Sequence, residues 1–561
     1  YFDDLVFVDY DVNITTDDQF LDLISKRTFK YFWDTAHPTT GLMRDRATNR
    51  ELCSIASVGF GLTTYCIAAE RGWVSRSNAA ERVAKVLNTL WDGPQGNETA
   101  NVTGYNGFFY HFLDMETGYR YEPWIPSCEL SSIDTALLLA GVLTCKEYFD
   151  GSDTTEDNIR NLSDNIYRRV NWTWMLNGGD TLSMGWRPET GFLPYRWEGY
   201  NEAMILYLLA IGSPNQNHSL PNSSWDAWAK TYKWGCGDGE DFIYCPTGSL
   251  FTYQYSHCWI DFRNKHDAHA DYWQNSINAV KENRQFCIDN SDIYPTYGEN
   301  CWGLTACDCP NGYCGYGSCP AYYHDGTIAP TGAGGSVALV PDLAIPALRF
   351  MYTEYGDKLW GVYGFRDAFN LDTDLSKPGN QEWWDKDYIG IDEGAVIVMI
   401  ENFRSGLVWN EFMQNPYIIK AMDDGGFVLT SFDTGHGTYP SIFGSHNGTI
   451  KPLLNINVTR MYTYPCAGTG RHCEYVKFWN STWNVSATLK GYAGDWHNIT
   501  FDVPFVFEQG KIYNYTIRTG FYPQIHHTDR LKIDDGVITC ISFVDANGKK
   551  YDNCIPAIGL E

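Results

Sequence analysis

The stretch TDDQFLDLISKRTFKYFWDTA, residues 16–36, begins the helical part of the chain and sets the fold class. Thr16 followed by Gln19 is a capping-box pattern, in which each side chain accepts a bond from the other residue's backbone N–H. Apolar residues then recur at the three- and four-residue spacing of one helix face. The stretch therefore predicts an amphipathic helix that begins after Thr16.

The same helical pattern recurs through most of the chain. We predict further helices at about 54–70, 77–92, 130–149, 155–174, 201–212, 223–233, 264–286, 335–354, 359–369, 392–405 and 411–422. The loops between them are rich in Gly, Trp and Tyr, and we expect almost no strands there. No fixed-period repeat of the tetratricopeptide or ankyrin kind is present. So many helices without such a repeat indicate a mainly α domain over residues 15–424, built as a helical toroid or solenoid.

After Asp423 the pattern changes from helical to alternating polar and apolar residues. Seven short stretches show it: FVLTSF, LLNINVTRMYTY, EYVKFW, VSATLK, HNITFDVPFVF, KIYNYTIRTG and GVITCISFVDANGKKYDN. The last contains Asn547-Gly548, a dipeptide typical of two-residue hairpin turns. We predict a β-sandwich domain over residues 425–561. Residues 5–12, LVFVDYDV, predict a separate strand in an N-terminal arm that comprises residues 1–14.

The composition is that of a folded, acidic protein with many aromatic residues. A net charge of −27 disfavours binding to nucleic acid or to anionic lipid surfaces. Aromatic residues make up 16% of the chain, with 21 Trp and 38 Tyr, and this abundance favours carbohydrate as the ligand class. No apolar run reaches the roughly 18 residues that a membrane span requires.

Two features indicate an exported protein, outside the cell or at its surface. The chain shows no initiator Met and no charged, apolar leader, so we expect that a signal peptide has been removed. It is also dense in Asn-x-Ser/Thr sequons, which predicts a glycosylated surface. These sequons lie at Asn13, Asn97, Asn101, Asn161, Asn171, Asn217, Asn222, Asn447, Asn457, Asn480, Asn484, Asn498 and Asn514.

Seventeen cysteines in an exported chain predict disulfides, with at least one thiol left over. The most local pairs are Cys236 with Cys245, Cys466 with Cys473, and Cys540 with Cys554. The segment from Cys301 to Cys319 contains five more cysteines, both ends included. Their spacing fits either disulfides or a zinc knot, and an oxidising compartment favours disulfides. We expect no catalytic metal and no organic cofactor.

Carboxylates embedded in aromatic loops are the strongest candidates for chemistry. No G-x-S-x-G elbow, P-loop or HExxH motif is present, which excludes the common serine hydrolases, P-loop kinases and zinc proteases. Cleavage of a glycosidic bond needs one protonated carboxyl and one carboxylate, and apolar surroundings raise the pKa of the first. The candidates are Glu129 and Asp134, Glu198 and Glu202, Asp261, and Asp392 with Glu393.

Each candidate has a functional interpretation and a purely structural one, in which a carboxylate in the first turn of a helix is only a favourable partner of the helix dipole. Glu198 and Glu202 are four residues apart and can share a helix face, with Trp197 and Tyr200 as stacking platforms. Asp392 follows a Gly and opens an apolar helix, whose dipole favours the ionised form. Asp261 stands near Arg263 and fits a structural ion pair better than a base. His257 and His111 fit hydrogen bonding or sugar contact better than metal ligation.

Many of these segments together resemble one enzyme family, the endo-β-1,2-glucanases of glycoside hydrolase family 144. The resemblance covers residues 18–424 and rests on FKYFWDTAHPTTGLMRDR, CSIASVGFGLTTYCIAAERGW, GYNGFFYHFLDMETG, CELSSIDTALLLAGVL, GYNEAMILYLLAIGSP, LFTYQYSHCWIDFRN, WGLTACD, DGTIAPTGAGGS, YGFRDAFN and DYIGIDEGAVIVMIENFRSG. It implies an (α/α)6 barrel with a sugar cleft at one end. It also implies that β-1,2-linked glucan, made of sophoro-oligosaccharide units, is hydrolysed with inversion.

The resemblance also assigns roles to residues. It implies Glu202 as general acid and Asp392 as general base, with Asp134 and Glu129 orienting the sugar. The remaining candidates for substrate contact are Trp197, Glu198, Tyr200, His257, Asp261, Trp302 and Glu393. Two features depart from the family: Glu393 stands where the family carries an amide, and the Cys301 to Cys319 loop is elaborated.

A second hypothesis makes the chain a structural subunit rather than an enzyme. Residues 425–561 lie outside the family resemblance and are similar in pattern to C-terminal β-domains of surface proteins from methanogenic archaea. The strand at residues 5–12 then pairs with a neighbour's β-sandwich and builds a filament, or else docks on its own C-terminal domain. A filament of this kind is compatible with a working cleft.

Overall fold

A computed structural model describes residues 14–236, 241–372, 382–429, 431–464, 473–489, 498–520, 523–533 and 535–561. The chain forms two compact units. The first takes up the chain as far as Asp261 and resumes as Trp273–Ala421. The second comprises Phe262–Tyr272 and Met422–Glu561. The strand predicted at residues 5–12 lies outside the described residues and stays a prediction.

The first unit is mainly helical, as predicted. The α-helices of the described residues are α1 (Asp17–Thr35), α2 (Ile55–Glu70), α3 (Arg76–Asp92), α4 (Ser132–Tyr148), α5 (Thr154–Arg168), α6 (Trp172–Met175), α7 (Met204–Gly212), α8 (Ser223–Ala229), α9 (Tyr272–Asp289), α10 (Pro330–Gly334), α11 (Pro341–Leu359), α12 (Gly390–Arg404), α13 (Leu407–Met413) and α14 (Pro416–Asp424). Short 3₁₀ helices lie at Glu122–Trp124, Leu250–Tyr253 and Ser256–Cys258. Helix α1 begins with the predicted capping box between Thr16 and Gln19.

Burial separates the helices into an inner and an outer set. Helices α2, α4, α7 and α12 are buried on nearly every side. Helices α3 and α5 bury one face and expose polar residues on the other, which is the pattern of a helix on the outside of a domain. Helix α2 packs on both α4 and α12, and α4 also packs on α5 and α7. These contacts and their burial assign α2, α4, α7 and α12 to the inner set of helices.

The contact between α2 and α4 depends on two glycines, Gly59 and Gly141. A Cβ atom on Gly59 would overlap the carbonyl oxygen of Leu137, and one on Gly141 would overlap the carbonyl oxygen of Gly59. Both obstacles are backbone atoms in buried helices, which cannot move aside as a flexible side chain does. The two inner helices therefore approach closely only because neither residue has a side chain.

We expect Gly59→Ala to lower the free energy of unfolding by about 1–3 kcal/mol, the usual cost of overpacking a core. Denaturant titration followed by circular dichroism measures the change. Gly356→Ala is the matched control, because Gly356 lies within α11 and a Cβ there meets no atom within 4 Å. The control should leave stability unchanged or raise it slightly. Equal stability of Gly59→Ala and wild type would contradict the role of the close contact.

Short strands are more frequent in the first unit than we predicted. The strands of the described chain up to residue 384 are β1 (Leu52–Ser54), β2 (Gly104–Tyr105), β3 (Phe108–Phe109), β4 (Phe112–Asp114), β5 (Leu130–Ser131), β6 (Gly185–Arg187), β7 (Gly191–Phe192), β8 (Lys265–His266), β9 (Ala306–Cys309), β10 (Gly312–Gly315), β11 (Trp360–Gly361), β12 (Gly364–Phe365), β13 (Phe369–Asn370) and β14 (Trp383–Trp384). All except β8 lie in the first unit and pair in sheets of two or three strands.

Two helix predictions were wrong in this region. The helix predicted at 359–369 is instead the hairpin of β11 and β12 followed by β13, because Gly364, at φ +109°, turns the chain back. The helix predicted at 264–286 begins only at Tyr272. The residues before it contain β8, which pairs with a strand of the second unit.

The second unit is rich in strands, as predicted. Its later strands are β15 (Val428–Leu429), β16 (Phe432–Asp433), β17 (Tyr439–Pro440), β18 (Gly444–Pro452), β19 (Asn455–Thr463), β20 (Cys473–Trp479), β21 (Asn484–Thr488), β22 (Asn498–Phe507), β23 (Tyr513–Thr519), β24 (Gln524–His526), β25 (Arg530–Ile533), β26 (Gly536–Asp545), β27 (Lys550–Tyr551), β28 (Ile555–Pro556) and β29 (Ile558–Leu560). The predicted hairpin at Asn547-Gly548 joins β26 to β27, and Gly548 has φ +81°.

Two larger sheets and one small sheet make up this unit. The first larger sheet has the order β16-β29-β19-β15-β8, with β22 paired to β19. The second has the order β21-β20-β23-β18-β26-β25, with β27 paired to β26. Strands β17, β24 and β28 form the small sheet. Buried residues alternate along β23 with partly or fully exposed ones, so one face of that strand is buried and the other is more open.

The predicted disulfide between Cys236 and Cys245 is wrong. Cys236 is bonded to Cys319, and their Cα atoms are 5.8 Å apart. The backbone around Gly248 contacts that of Ser318, which brings the end of the cysteine-rich loop beside Cys236. The Sγ atom of Cys245 instead lies 3.3 Å from the hydroxyl of Thr247.

The other cysteine predictions have mixed outcomes. A second disulfide joins Cys309 to Cys314 across the β9–β10 hairpin. The predicted bridge between Cys540 and Cys554 is not formed in this structure. Both residues are buried thiols. The predicted pair of Cys466 with Cys473 stays a prediction, because Cys466 lies outside the described residues.

None of the helices that the structure describes is both long enough and apolar enough to cross a membrane.

Candidate functional site

Three acidic residues lie at the N-terminal ends of inner helices. Asp134 is in the first turn of α4 and Asp392 in the first turn of α12, while Glu202 stands two residues before α7. The positive end of a helix dipole stabilises a carboxylate at such a position. The inner-helix arrangement thus gathers the three residues that the sequence proposed for catalysis.

A histidine lies between two of the predicted carboxylates. The Nδ1 atom of His111 is 3.1 Å from an oxygen of Glu129, and its Nε2 atom is 3.5 Å from an oxygen of Asp134. Burial alone would lower the pKa of His111, but the charges of Asp134 and Glu129 outweigh it and raise the pKa to about 9. His111 therefore carries a positive charge at neutral pH and holds both carboxylates in place.

Hydrogen bonds fix Asp134 and Glu129 further. Ser131 caps α4: its hydroxyl accepts a bond from the backbone N–H of Asp134 and donates one of 2.5 Å to the Asp134 carboxylate. Burial tends to raise the pKa of Glu129, but the bond to His111 and its charge lower it overall. The hydrogen bonds to Asp134 and the lowered pKa of Glu129 suit carboxylates that bind and orient a ligand.

Glu202 has the properties of a proton donor. It is half-buried, and its backbone carbonyl accepts a 2.8 Å bond from the hydroxyl of Ser256. Burial raises the pKa of its side chain to about 7, and the charge of Asp134 contributes to the increase. A carboxyl with this pKa remains partly protonated at neutral pH, as a general acid requires.

Asp392 is almost completely buried, with 4% of its surface exposed. The hydroxyl of Tyr255 donates a 3.4 Å bond to its Oδ1 atom. Burial raises the pKa of Asp392 to about 7, and the charges of Asp308 and Asp45 also act in that direction. Burial is the largest cause that raises the pKa of Tyr255. The negative charge of Asp392 and, more weakly, that of Glu202 raise it further, so both predicted catalytic groups act on this hydroxyl.

A second acidic cluster, which the sequence analysis missed, adjoins Asp392. It consists of Asp308, Asp367 and Asp385, and one oxygen of each carboxylate lies within 4.8 Å of the others. Arg46 donates a 2.8 Å bond to Asp308. These residues come from loops that are far apart in the chain, and no local motif connects them.

Several predicted substrate contacts are buried instead. Tyr200 is 1% exposed, and its hydroxyl contacts that of Ser276. Trp302 is completely buried. Trp197 is 7% exposed and donates from its indole nitrogen to the hydroxyl of Ser132, so it braces the start of α4. The expectation that these rings are open stacking platforms was wrong, because packing inside the unit covers their faces.

The remaining predicted contacts differ in their burial and in their hydrogen-bond partners. His257 is completely buried, and burial lowers its pKa to about 3 despite the nearby charge of Asp261, which is itself buried. Glu198 is exposed and accepts a bond from the hydroxyl of Thr181. Glu393 is 7% exposed, and burial raises its pKa, while a hydrogen bond from Thr28 of α1 opposes that rise. The side chain of Glu393 thus faces α1.

Two aromatic residues that sequence reasoning missed have exposed surface near the site. Tyr313, on β10, has 51% of its surface exposed, while burial of its hydroxyl and the charges of Asp392 and Asp367 raise its pKa. Trp124 is 42% exposed and packs edge-on against Phe112, whose ring stacks on His111. Residue type alone could not predict the exposed position of Tyr313 on the second strand of a short hairpin.

A mainly helical unit with carboxylates of raised pKa at its inner helix ends is typical of glycoside hydrolases of the α/α type. Residues 194–416 match the family model described as "Putative glucoamylase". A crystal structure of a putative glucoamylase from Bacteroides uniformis superposes with a TM-score of 0.67 at 34% identity. That match covers 74% of this chain and 98% of the other. The chain therefore belongs to this glucoamylase-like family.

Two further relatives agree with the predicted resemblance to endo-β-1,2-glucanases. The endo-β-1,2-glucanase from Chitinophaga pinensis, solved with sophorotriose and glucose, has a TM-score of 0.67 and 29% identity. This match covers 74% of this chain and 99% of that one. An exo-β-1,2-glucooligosaccharide sophorohydrolase (non-reducing end) from Parabacteroides distasonis is 33% identical over 433 residues, 72% of this chain. The present chain spans 58% of the length of that relative.

Proposed function

We propose that this chain hydrolyses β-1,2-linked glucan, with Glu202 as general acid and Asp392 as general base. The observation that carries the proposal is the raised pKa of Glu202, about 7, at the end of an inner helix beside Asp134. The relatives named above act on β-1,2-linked glucans or oligosaccharides according to their descriptions. The substrate class of this chain is inferred from them, and the residue roles from the family resemblance together with the raised pKa of Glu202.

The two carboxyl groups suit an inverting reaction. Glu202 protonates the glycosidic oxygen as the bond to the leaving sugar breaks, and Asp392 removes a proton from the attacking water. Burial raises the pKa of Asp392 to about 7, and the first turn of α12 and the Tyr255 hydroxyl oppose that rise, so part of Asp392 is ionised at neutral pH. Inversion requires the two carboxyl groups to stand roughly 6.5–9.5 Å apart, with space for that water.

The pair of carboxylates around His111 supplies binding rather than proton transfer. Glu129 and Asp134 each use one oxygen toward His111. The second oxygen of Glu129 lies 4.0 Å from the guanidinium of Arg187, and Oδ1 of Asp134 is placed to accept a bond from a sugar hydroxyl. Asp134 also places a negative charge near Glu202, which holds the proton on that acid. The half-exposed ring of Tyr313 offers a face on which a sugar can stack.

A comparison of glucans tests the proposal. The purified chain is incubated separately with linear β-1,2-glucan, β-1,3-glucan, cellulose and starch, and the product sizes are followed by chromatography. We expect sophoro-oligosaccharides from the β-1,2-glucan and no products from the other three. Release of sugars from starch or cellulose in preference to β-1,2-glucan would refute the substrate assignment.

We expect kcat/KM to fall as pH rises through about 7, because Glu202 loses the proton that it must donate. Removing the charge of Asp134 lowers the pKa of Glu202, so in Asp134→Asn this alkaline limb should move to lower pH. Rate measurements from pH 5 to pH 9 on both proteins show the shift independently of any general loss of rate. An alkaline limb at the same pH in both would contradict the assignment of Glu202 as the titrating acid.

The finer features of architecture and location are part of the same proposal. We infer that the inner and outer helices form an (α/α)6 barrel, and that the two larger sheets of the second unit face each other as a β-sandwich. We also infer a glycosylated protein outside the cell. In support, none of the sequon asparagines that the structure describes is buried. Asn13 is the one sequon residue outside the described part.

The alternative of a filament subunit rests on the strand at residues 5–12. That segment lies outside the described residues, so the hypothesis stays a prediction. Deletion of residues 1–12 followed by light scattering tests it, since loss of assembly would support strand exchange and an unchanged oligomeric state would contradict it.

A further inference from the structure

The acidic cluster beside Asp392 has the geometry of a ligand set for one ion. Asp308 is on the β9–β10 hairpin, Asp367 lies between β12 and β13, and Asp385 directly follows β14. One oxygen from each carboxylate lies within 4.8 Å of the other two. Oxygens bound at about 2.4 Å on opposite sides of a single Ca²⁺ ion are about 4.8 Å apart, so all three can reach the same ion.

Each carboxylate is held by a hydrogen bond through one of its oxygens. Arg46 donates to Oδ2 of Asp308, at 2.8 Å. The backbone N–H of Asp308 donates to Oδ2 of Asp367, at 2.6 Å. The backbone N–H groups of Lys386 and Asp387 donate to Oδ1 of Asp385. These bonds fix the three side chains, each through one of its two oxygens.

Two of the remaining oxygens are buried and have no hydrogen-bond partner. They are Oδ1 of Asp367 and Oδ2 of Asp385. Asp367 is only 4% exposed, and its carboxyl lies against that of Asp392, also 4% exposed, with no other donor among the described residues on Oδ1 of Asp367 or Oδ2 of Asp392, so a shared proton or a cation must lie between them. A buried oxygen without a partner costs free energy, and native proteins rarely leave one unpaired unless a bound water or ion completes it.

The negative charge of the cluster also favours a bound cation or proton. Arg46 forms an ion pair with Asp308, and no ion pair with Asp367 or Asp385 is present among the described residues. Three carboxylates with one partial counter-charge leave a net negative centre in a poorly hydrated place. Either protons or a cation must neutralise it.

We propose that Asp308, Asp367 and Asp385 bind one divalent cation of the Ca²⁺ type. All three ligands are hard carboxylate oxygens, which suit Ca²⁺ and Mg²⁺ and do not suit Zn²⁺ or Cu²⁺. Ca²⁺ is favoured over Mg²⁺ because it tolerates irregular geometry and completes its shell with water. The ion links three segments of the helical unit that neither disulfide of the described residues joins to one another. This inference is independent of the proposed reaction, because ion binding is measured without glucan.

Calorimetry on the full chain tests the site directly. The protein is dialysed against a chelator, then against chelator-free buffer, and titrated with CaCl₂ and separately with MgCl₂. We expect one Ca²⁺ per chain, weaker Mg²⁺ binding, and a melting temperature that rises with Ca²⁺ concentration. No heat of binding together with an unchanged melting temperature would overturn the proposal and show that protons neutralise the cluster.

Substitutions locate the ion. Asp385→Asn should weaken Ca²⁺ binding at least tenfold, because it removes a ligand charge while its amide oxygen still accepts the bonds from Lys386 and Asp387. Asp308→Asn should have a similar effect. Asp292→Asn is the matched control, because Asp292 is exposed and lies outside the cluster, and it should bind as wild type does. Unchanged affinity in both cluster variants would place any bound ion elsewhere and refute this site.

Discussion

Glu202→Gln is expected to lower kcat on β-1,2-glucan by on the order of 10²- to 10⁴-fold, the usual contribution of a general acid. Glutamine has nearly the same shape as glutamic acid but holds no acidic proton. The leaving sugar then departs as an unprotonated alkoxide, which is a poor leaving group. Binding should change little, since the amide can still donate a hydrogen bond to the glycosidic oxygen.

The fold of Glu202→Gln should remain intact. The wild-type folded state holds a proton on Glu202 to about pH 7, whereas the unfolded chain releases it near its ordinary pKa of 4.5. The stability of wild type therefore decreases as pH rises between these values, and the neutral amide removes this decrease. Glu116→Gln, at an exposed surface position, is the matched control and should keep full activity. Full activity of Glu202→Gln would contradict the assignment of Glu202 as the general acid.

Asp392→Asn is expected to cause a loss of similar size, on the order of 10²- to 10⁴-fold in kcat, because no group then removes the proton from the attacking water. The amide keeps the shape of the side chain, so the bond from Tyr255 to Oδ1 can persist. Asp292→Asn serves again as the surface control for this exchange of acid for amide.

A substrate with a good leaving group separates the two roles. An aryl sophoroside whose phenol leaves without protonation should restore most of the activity of Glu202→Gln. The same substrate should not rescue Asp392→Asn, since water must still be activated. Rescue of both variants, or of Asp392→Asn alone, would contradict the division into acid and base.

The sequence predicts the helical unit and its carboxylates well, because local signals carry that information. The capping box at Thr16 and the apolar runs of α2, α4 and α12 define helices whatever their neighbours are. Asp134 and Asp392 lie in first turns, where residue type and helix position suffice to identify them. These local features explain why the inner helix ends were recognised.

The features that could not be predicted from the sequence depend on packing between distant segments of the chain. Tyr200 and Trp302 carry the residue types of sugar platforms, yet burial in the unit depends on distant segments that cover them. Cys236 pairs with Cys319, 83 residues away, rather than with the nearer Cys245. The three carboxylates of the acidic cluster come from separate loops and meet only in the folded chain.

The measurement that tests the central claim most directly is the anomeric form of the first product, followed by proton NMR during hydrolysis of β-1,2-glucan. An acid at Glu202 and a base at Asp392 acting through one water must release the α-anomer first, which then mutarotates. Early accumulation of the α-anomer by wild type, absent in Glu202→Gln, is the predicted result. Early accumulation of the β-anomer would show retention through a covalent intermediate and contradict the acid and base pair.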